Sequence, residues 1–459
     1  MGNKTGNDLT TGSVPKRLIN FAIPTFIGYF LYTGYSIINT VWVGNLLGET
    51  AVGATAVSFV ITYILIAVAF GATMASTILI AQNFGAKNFD NIEKLVGASY
   101  GLALVMNTVL TVIAFILSDY ILKAMNTPEV IFESASFYLK VSLIGCWVLY
   151  FFILNIAILR GVGDTVTPMI LMALSAVLNA ILDPVMIIGL GPVPKLGLNG
   201  AAFASLISQS IALLAGLIYV KSKNPLVAPS FKKLNLHKAQ TKLLLKIGFP
   251  AIMQQALTAI GGSFMSSFVN GFGAAAASGY GAVIRVDSLI NIFAMSIGTA
   301  SAAFTGQNLG AKKPERVRDA FKWGIIISLL LSVVITLMCL LIPKILLSAF
   351  VHETDVIDIG AVCLRYLGIG YIFMLIMFTV NGIFNGSGKT LLSMTITLTT
   401  LWIIRIPLSY ILLNTGMKIN GIWLSIDISY LIAAAAGVII FSVKNLKTLK
   451  MPSSTGKTV

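Results

Sequence analysis

The chain has 459 residues, 57% of them hydrophobic and 10% charged, and its 31 Lys and Arg against 16 Asp and Glu give a formal net charge of +15. Soluble domains carry about 25% charged residues and about 45–50% apolar ones, so a chain of this size with so few charges cannot cover a water-facing surface. A soluble enzyme, a disordered protein and a secreted disulfide scaffold are excluded together, and a polytopic membrane protein remains.

A bilayer core needs about 20 apolar residues per helix, and on that measure the chain divides into twelve segments. Residues 1–17 are polar, and the apolar run that follows is too long for the core of a signal peptide. The expected spans are 18–43, 51–83, 94–118, 134–159, 166–190, 200–221, 246–271, 277–307, 320–342, 359–385, 391–413 and 420–442. None alternates in the manner of a barrel strand. Tyr29, Tyr32 and Tyr35 recur along the first, and Trp147, Tyr150 and Phe151 cluster on the fourth. Most such aromatics serve packing. Cys146, Cys339 and Cys363 all lie in apolar stretches, an odd number that suits no disulfide framework.

The connections sort by charge. The amino-terminal segment and every second connection after it hold 23 cations against six acids, and the opposite set holds four cations against seven acids. Positive loops stay inside, which predicts a multi-pass protein of the cell membrane with both termini cytoplasmic. The excess charge is then a topology signal, with no nucleic-acid partner implied.

The two halves repeat each other. Gln82-Asn83-Phe84-Gly85-Ala86-Lys87 returns as Gln307-Asn308-Leu309-Gly310-Ala311-Lys312, and Gly161, Gly163 and Thr165 return as Gly386, Gly388 and Thr390, both at an offset of 225. Pro24 matches Pro250, and Asn199-Gly200 matches Asn420-Gly421. An even number of spans per half makes the repeat parallel, a layout found among secondary transporters. The expected division is a first lobe over 1–221, a cytoplasmic linker over 222–245, and a second lobe with a basic tail over 246–459. Gly386-Ser387-Gly388-Lys389-Thr390 lacks the earlier glycine of a phosphate-binding loop. With no ATP motif, energy must come from an ion gradient.

The whole chain resembles the multidrug and toxic compound extrusion (MATE) transporters. The residues that carry the likeness are Leu159-Arg160-Gly161-Val162-Gly163-Asp164-Thr165 with Pro168, Asn179 through Asp183-Pro184, Asn199-Gly200-Ala201-Ala202, Arg285-Val286-Asp287 and both Gln-Asn-x-Gly-Ala-Lys turns. The resemblance implies an all-α polytopic membrane protein with twelve transmembrane helices in two pseudo-symmetric six-helix lobes around a central cavity. It implies a secondary antiporter and no enzyme: a monomer exporting small amphipathic cations by alternating access in exchange for Na⁺ or H⁺, with no other cofactor.

Ionisable residues deep in a membrane are costly and usually functional. Seven lie well inside the spans: Lys140, Asp183, Arg285, Asp287, Arg365, Arg405 and Asp427. Lys140 and Arg365 sit near span ends, where long side chains snorkel. Asp183 follows Asn179 by four residues, on the same helix face, and Pro184 frees a backbone carbonyl nearby. A carboxylate with amide and hydroxyl oxygens suits a hard cation such as Na⁺, and a desolvated carboxyl suits a proton. By resemblance, Asn179 and Asp183 match the family's first-lobe cation site, with Ser205 adding a hydroxyl. The family usually has Asp-Thr on its first helix where this chain has Asn39-Thr40. An amide cannot carry a proton, which leans the expectation toward Na⁺.

In the second lobe, Asp287 and Asn291 share a helix face while Arg285 points elsewhere, and the matching depths of Arg405 and Asp427 suit a buried ion pair. Gln254, Gln255 and Thr258 stand where the family often has a carboxylate. A lipid or lipid-linked oligosaccharide flippase is the alternative function. It predicts a strongly cationic cavity, whereas these candidates balance. A channel or an intramembrane enzyme fits worse, given the duplicated halves and only two histidines, His237 and His352, both in loops.

Overall fold

In lipid every backbone N–H and C=O must be satisfied within the protein, which leaves helices as the spanning element for long apolar runs. A computed structural model describes residues 7–229 and 237–443 of the chain, and these form helices with no strand among them. Twelve are long and apolar enough to cross a membrane. They are α1 (Val14–Leu47), α2 (Glu49–Gly85), α3 (Phe89–Ala124), α4 (Glu129–Gly161), α5 (Val166–Ile188), α6 (Leu198–Lys223), α7 (Lys238–Asn270), α8 (Ala274–Gly310) and α9 (Pro314–Leu341). A short helix, Pro343–Ser348, precedes α10 (Thr354–Gly386), α11 (Thr390–Leu413) and α12 (Ile419–Val443).

Most helices outrun the expected spans, because an apolar run marks only the part of a helix that lies in hydrocarbon. The segment 222–245, expected as linker, contributes the end of α6, a single 3₁₀ turn at Pro225–Val227 and the start of α7. Its residues 230–236 and the basic tail beyond 443 lie outside the described residues. Large apolar side chains such as Ile116, Ile218, Leu330 and Ile403 are exposed on the helices. Lipid solvates such residues as well as a protein core does.

The repeat reappears in the backbone. Lys87 and Lys312, at matching positions of the two Gln-Asn-x-Gly-Ala-Lys turns, both take the left-handed conformation, with φ of 56° and 57°. Gly163 and Gly388 do the same after α4 and α10, at 85° and 75°. Only glycine enters that region without a steric cost, which explains why this glycine recurs in both halves.

The chain forms two compact units. One is built on Ile27–Ile252, the other on Leu9–Phe26 together with the chain from Met253 onward. The boundary falls inside α1 and again inside α7, in each case two residues after a proline, Pro24 and Pro250. A mid-helix proline removes one hydrogen bond and crowds the carbonyl a turn earlier, and these are the points where each helix passes from one unit to the other. In the second unit the entering segment is held firmly. Leu9, Val14, Leu18 and Phe21 pack with Ala300, Ala303, Phe304 and Ala320. The Leu9 N–H donates to Gln307 Oε1 at 2.9 Å, and Arg316 Nη1 donates to the Gly12 carbonyl at 3.0 Å.

Candidate functional site

Pro184 lies inside α5, so the carbonyl of Ala180 lacks its usual helical donor. Asn179 and Asp183, one turn apart on that helix, are both fully buried. The Asn179 amide nitrogen donates to Asp183 Oδ1 at 3.2 Å and to Ser205 Oγ of α6 at 3.2 Å. From α1, Asn39 Nδ2 lies 3.3 Å from Asp183 Oδ1 and 3.1 Å from Oδ2. Asn39, Asn179, Asp183 and Ser205, scattered over 167 positions of sequence, therefore meet in one cluster of the first unit.

Two features of this cluster bear on chemistry. No lysine or arginine pairs with Asp183 among the described residues; amides neutralise it in part, as donors only. The Asn179 carbonyl oxygen is buried with no donor among the described residues. A buried acceptor without a partner is unfavourable. Here it sits on the same side chain whose nitrogen bridges the carboxylate and the serine hydroxyl. Among the described residues no three His, Cys, Asp or Glu side chains gather to hold a metal, so a Na⁺ here would rest on one carboxylate and neutral oxygens. Tyr35 and Gln209 border the cluster, with Gln209 Nε2 donating to the tyrosine hydroxyl at 3.2 Å. Sequence reasoning missed this pair, although Tyr35 precedes Asn39 by one helical turn.

The second unit is arranged differently. Asn291 Nδ2 donates to Asp287 Oδ2 at 2.8 Å and to the Asp287 carbonyl at 3.0 Å. Arg285 is exposed and apart from them. The expected ion pair between Arg405 and Asp427 is absent: no Arg405 nitrogen lies within bonding range of that carboxylate among the contacts of the described residues. Arg405 Nε instead donates to Ser429 Oγ at 2.7 Å, and its guanidinium stands 4.4 Å from the Tyr430 ring centre. The reason lies in the backbone. Residues Thr399–Arg405 wind as a π-helix ahead of Pro407, and the wider turn shifts the facing of everything after it relative to an α-helical count. Asp427 is 8% exposed, its Oδ1 has no donor among the described residues, and its carboxylate fills the space that a Cβ on Gly370 would take. Any side chain at 370 would collide with it. Gln254 Nε2 and Asn381 Nδ2 both donate to Thr397 Oγ1, at 2.9 and 3.1 Å, so the α7 amide is used in packing.

The MatE family model matches residues 24–185 and 250–411, two segments that follow the internal repeat. The chain is 32% identical over 444 residues to the probable multidrug resistance protein YpnP of Bacillus subtilis, covering 97% of this chain and 98% of that one. It is 24% identical over 420 residues to a FAD transporter of Shewanella oneidensis, covering 91% and 92% respectively. Among solved structures, a MOP superfamily transporter from Pyrococcus furiosus superposes with a TM-score of 0.91 at 23% identity, over 98% of this chain and 99% of that one.

Proposed function

The chain belongs to the MatE family of multi-pass membrane transporters, and from that premise we propose that it exports small organic molecules across the cell membrane in exchange for Na⁺ or H⁺, with Asp183 as the coupling carboxylate. The observation that carries this reading is the fully buried Asp183 joined to Asn39 and Asn179 and, through Asn179, to Ser205, with the Asn179 oxygen lacking a donor among the described residues. A cation bound at these oxygens would satisfy that acceptor and favour one conformation. If substrate binds that conformation weakly, the outside cation expels it, and linkage makes the two affinities reciprocal. Neither amide carries a proton, which favours Na⁺.

Tyr32 supports recognition of aromatic cations in the same unit. Its ring centre lies 5.7 Å from that of Tyr35 and 6.5 Å from that of Phe70, and ring faces attract cationic groups. The charge asymmetry of the connections supports cytoplasmic termini, and the protein would act as a monomer. Relatives are named both for multidrug resistance and for FAD transport, so family membership leaves the cargo's charge open.

The test is ethidium movement in proteoliposomes under separate Na⁺ and pH gradients, for wild type and Asp183→Asn. Movement driven by one gradient and lost in the variant supports the reading and names the ion. Transport that survives the substitution moves the coupling site to the second unit, where Asp427 also carries an unpartnered oxygen. Silence of the wild type under both gradients removes export of organic cations.

A further inference from the structure

Arg160 lies in the last turn of α4, where its position beside a polar turn suggests an ordinary loop charge. The structure instead buries it to 6% exposure inside the first unit. Nη1 donates to the Tyr29 hydroxyl at 2.9 Å, and the guanidinium stacks 4.6 Å from the Tyr29 ring centre. Among the described residues Nε and Nη2 are buried with no acceptor, and no carboxylate pairs with the guanidinium. A buried charge without a counter-charge is strongly unfavourable. The fold does not demand it: at the repeat-related position, in the same Gly-x-Gly turn, the second half carries the neutral Asn385.

A guanidinium presents its donors in a planar fork that matches the paired oxygens of a carboxylate or phosphate. We infer that Arg160 is a binding site for an anionic group of the transported molecule, so that the cargo includes zwitterions carrying a carboxylate or phosphate beside an apolar aromatic body. In the observed state Tyr29 covers the guanidinium and occupies one donor. Admission of the anion replaces the tyrosine hydroxyl and supplies the two idle nitrogens, Nε and Nη2, with acceptors. This inference rests on the exporter reading for its role in transport.

The test uses rhodamine B, which carries a free carboxylate, and its ethyl ester, in which an ethyl group caps that carboxylate and removes its charge. Binding of each to the full-length protein in neutral detergent is followed by fluorescence polarisation. Wild type is expected to bind the acid about tenfold more tightly than the ester, the size of one charge-assisted pair. Arg160→Gln brings that ratio to about one, and Arg160→Lys, which keeps a charge but not the fork, gives an intermediate value. An unchanged ratio in Arg160→Gln overturns the inference. So does a ratio of one in wild type, which decides the matter even if the glutamine variant fails to fold. If phosphatidylglycerol added to the micelles abolishes the acid's advantage, the guanidinium serves a lipid headgroup and the assignment to cargo falls. No gradient is involved, so failure of ethidium export in liposomes overturns the exporter reading without moving this ratio.

Discussion

The Asp183 cluster and the Asp427 region are the buried acidic sites of two halves that share a backbone plan, yet they are built on opposite principles. The first surrounds its carboxylate with neutral amides and a hydroxyl. The second places an arginine in the neighbourhood and then directs it to Ser429 and the Tyr430 ring. Counted from the shared threonines Thr165 and Thr390, Asp183 corresponds to Leu408; counted from Pro184 and Pro407 it corresponds to Ile406. Either way the second half has an apolar residue there. Duplication has preserved the turns, where backbone geometry is exacting, and has let the interior chemistry diverge. A site with a single carboxylate and neutral donors can exchange a small cation. A region with a committed guanidinium is suited to holding helices in register.

The largest expected effect separates these two roles. Asp183→Asn is expected to lower gradient-driven ethidium transport more than tenfold with normal expression and an unchanged thermal midpoint, whereas Asp427→Asn retains at least about a third of wild-type transport; a tenfold loss corresponds to about 1.4 kcal/mol of transition-state stabilisation. Initial rates in proteoliposomes, normalised to reconstituted protein, decide it. The reverse ranking breaks the comparison and moves coupling to the second unit.

Next in size is Gly370→Ala. A Cβ at this position meets the Asp427 carboxylate, so either α10 and α12 separate or the carboxylate turns away. Overpacking of this kind costs about 1–3 kcal/mol, read as a lowered thermal midpoint of the purified protein. Asp427→Gly in the same background is expected to restore the midpoint. If it does not, the close approach is not what fixes the spacing.

A subtler change sharpens the first site. Asn39→Asp places a second carboxylate where an amide now donates to Asp183 at 3.1 Å. Two carboxylates that close share a proton, so the variant is expected to gain pH-gradient-driven transport and to lose part of its response to Na⁺. Unchanged ion dependence would mean that Asn39 is not part of the coupling group.

Much of this organisation was readable from the chain. Twelve spans follow from apolar run length, and the pairing of the halves follows from glycines and prolines whose backbone roles admit few substitutes. Asn179 and Asp183 were readable because two polar residues one helical turn apart inside an apolar run have few bland explanations, whereas Ser205, on the next helix, was legible only through the family resemblance. The turn of Arg405 away from Asp427 was not. It depends on a π-turn, which shifts helical facing and leaves no compositional mark beyond the nearby Pro407. Arg160 was hidden for a related reason: a cation at the end of a span reads as a loop charge, and only three-dimensional packing under Tyr29 reveals its burial. The passage of α1 and α7 between units is equally invisible, since Pro24 and Pro250 signal a break in the helix but not which neighbours each part chooses.

The smallest effect comes from a pair that looks strongest on paper. Lys140 Nζ lies 2.9 Å from Asp119 Oδ2, a direct ion pair between α3 and α4, yet the two side chains are 31% and 46% exposed. Charges so placed are screened, and holding two flexible side chains in one geometry offsets much of the attraction, leaving about 0–1 kcal/mol. Asp119→Asn is therefore expected to leave ethidium transport within error and to shift the thermal midpoint little, in contrast to the buried Asp183, which has no ion partner among the described residues. If Asp119→Asn instead abolished transport, exposure would be a poor guide to which carboxylates matter, and the distinction drawn between the two halves would lose its physical basis.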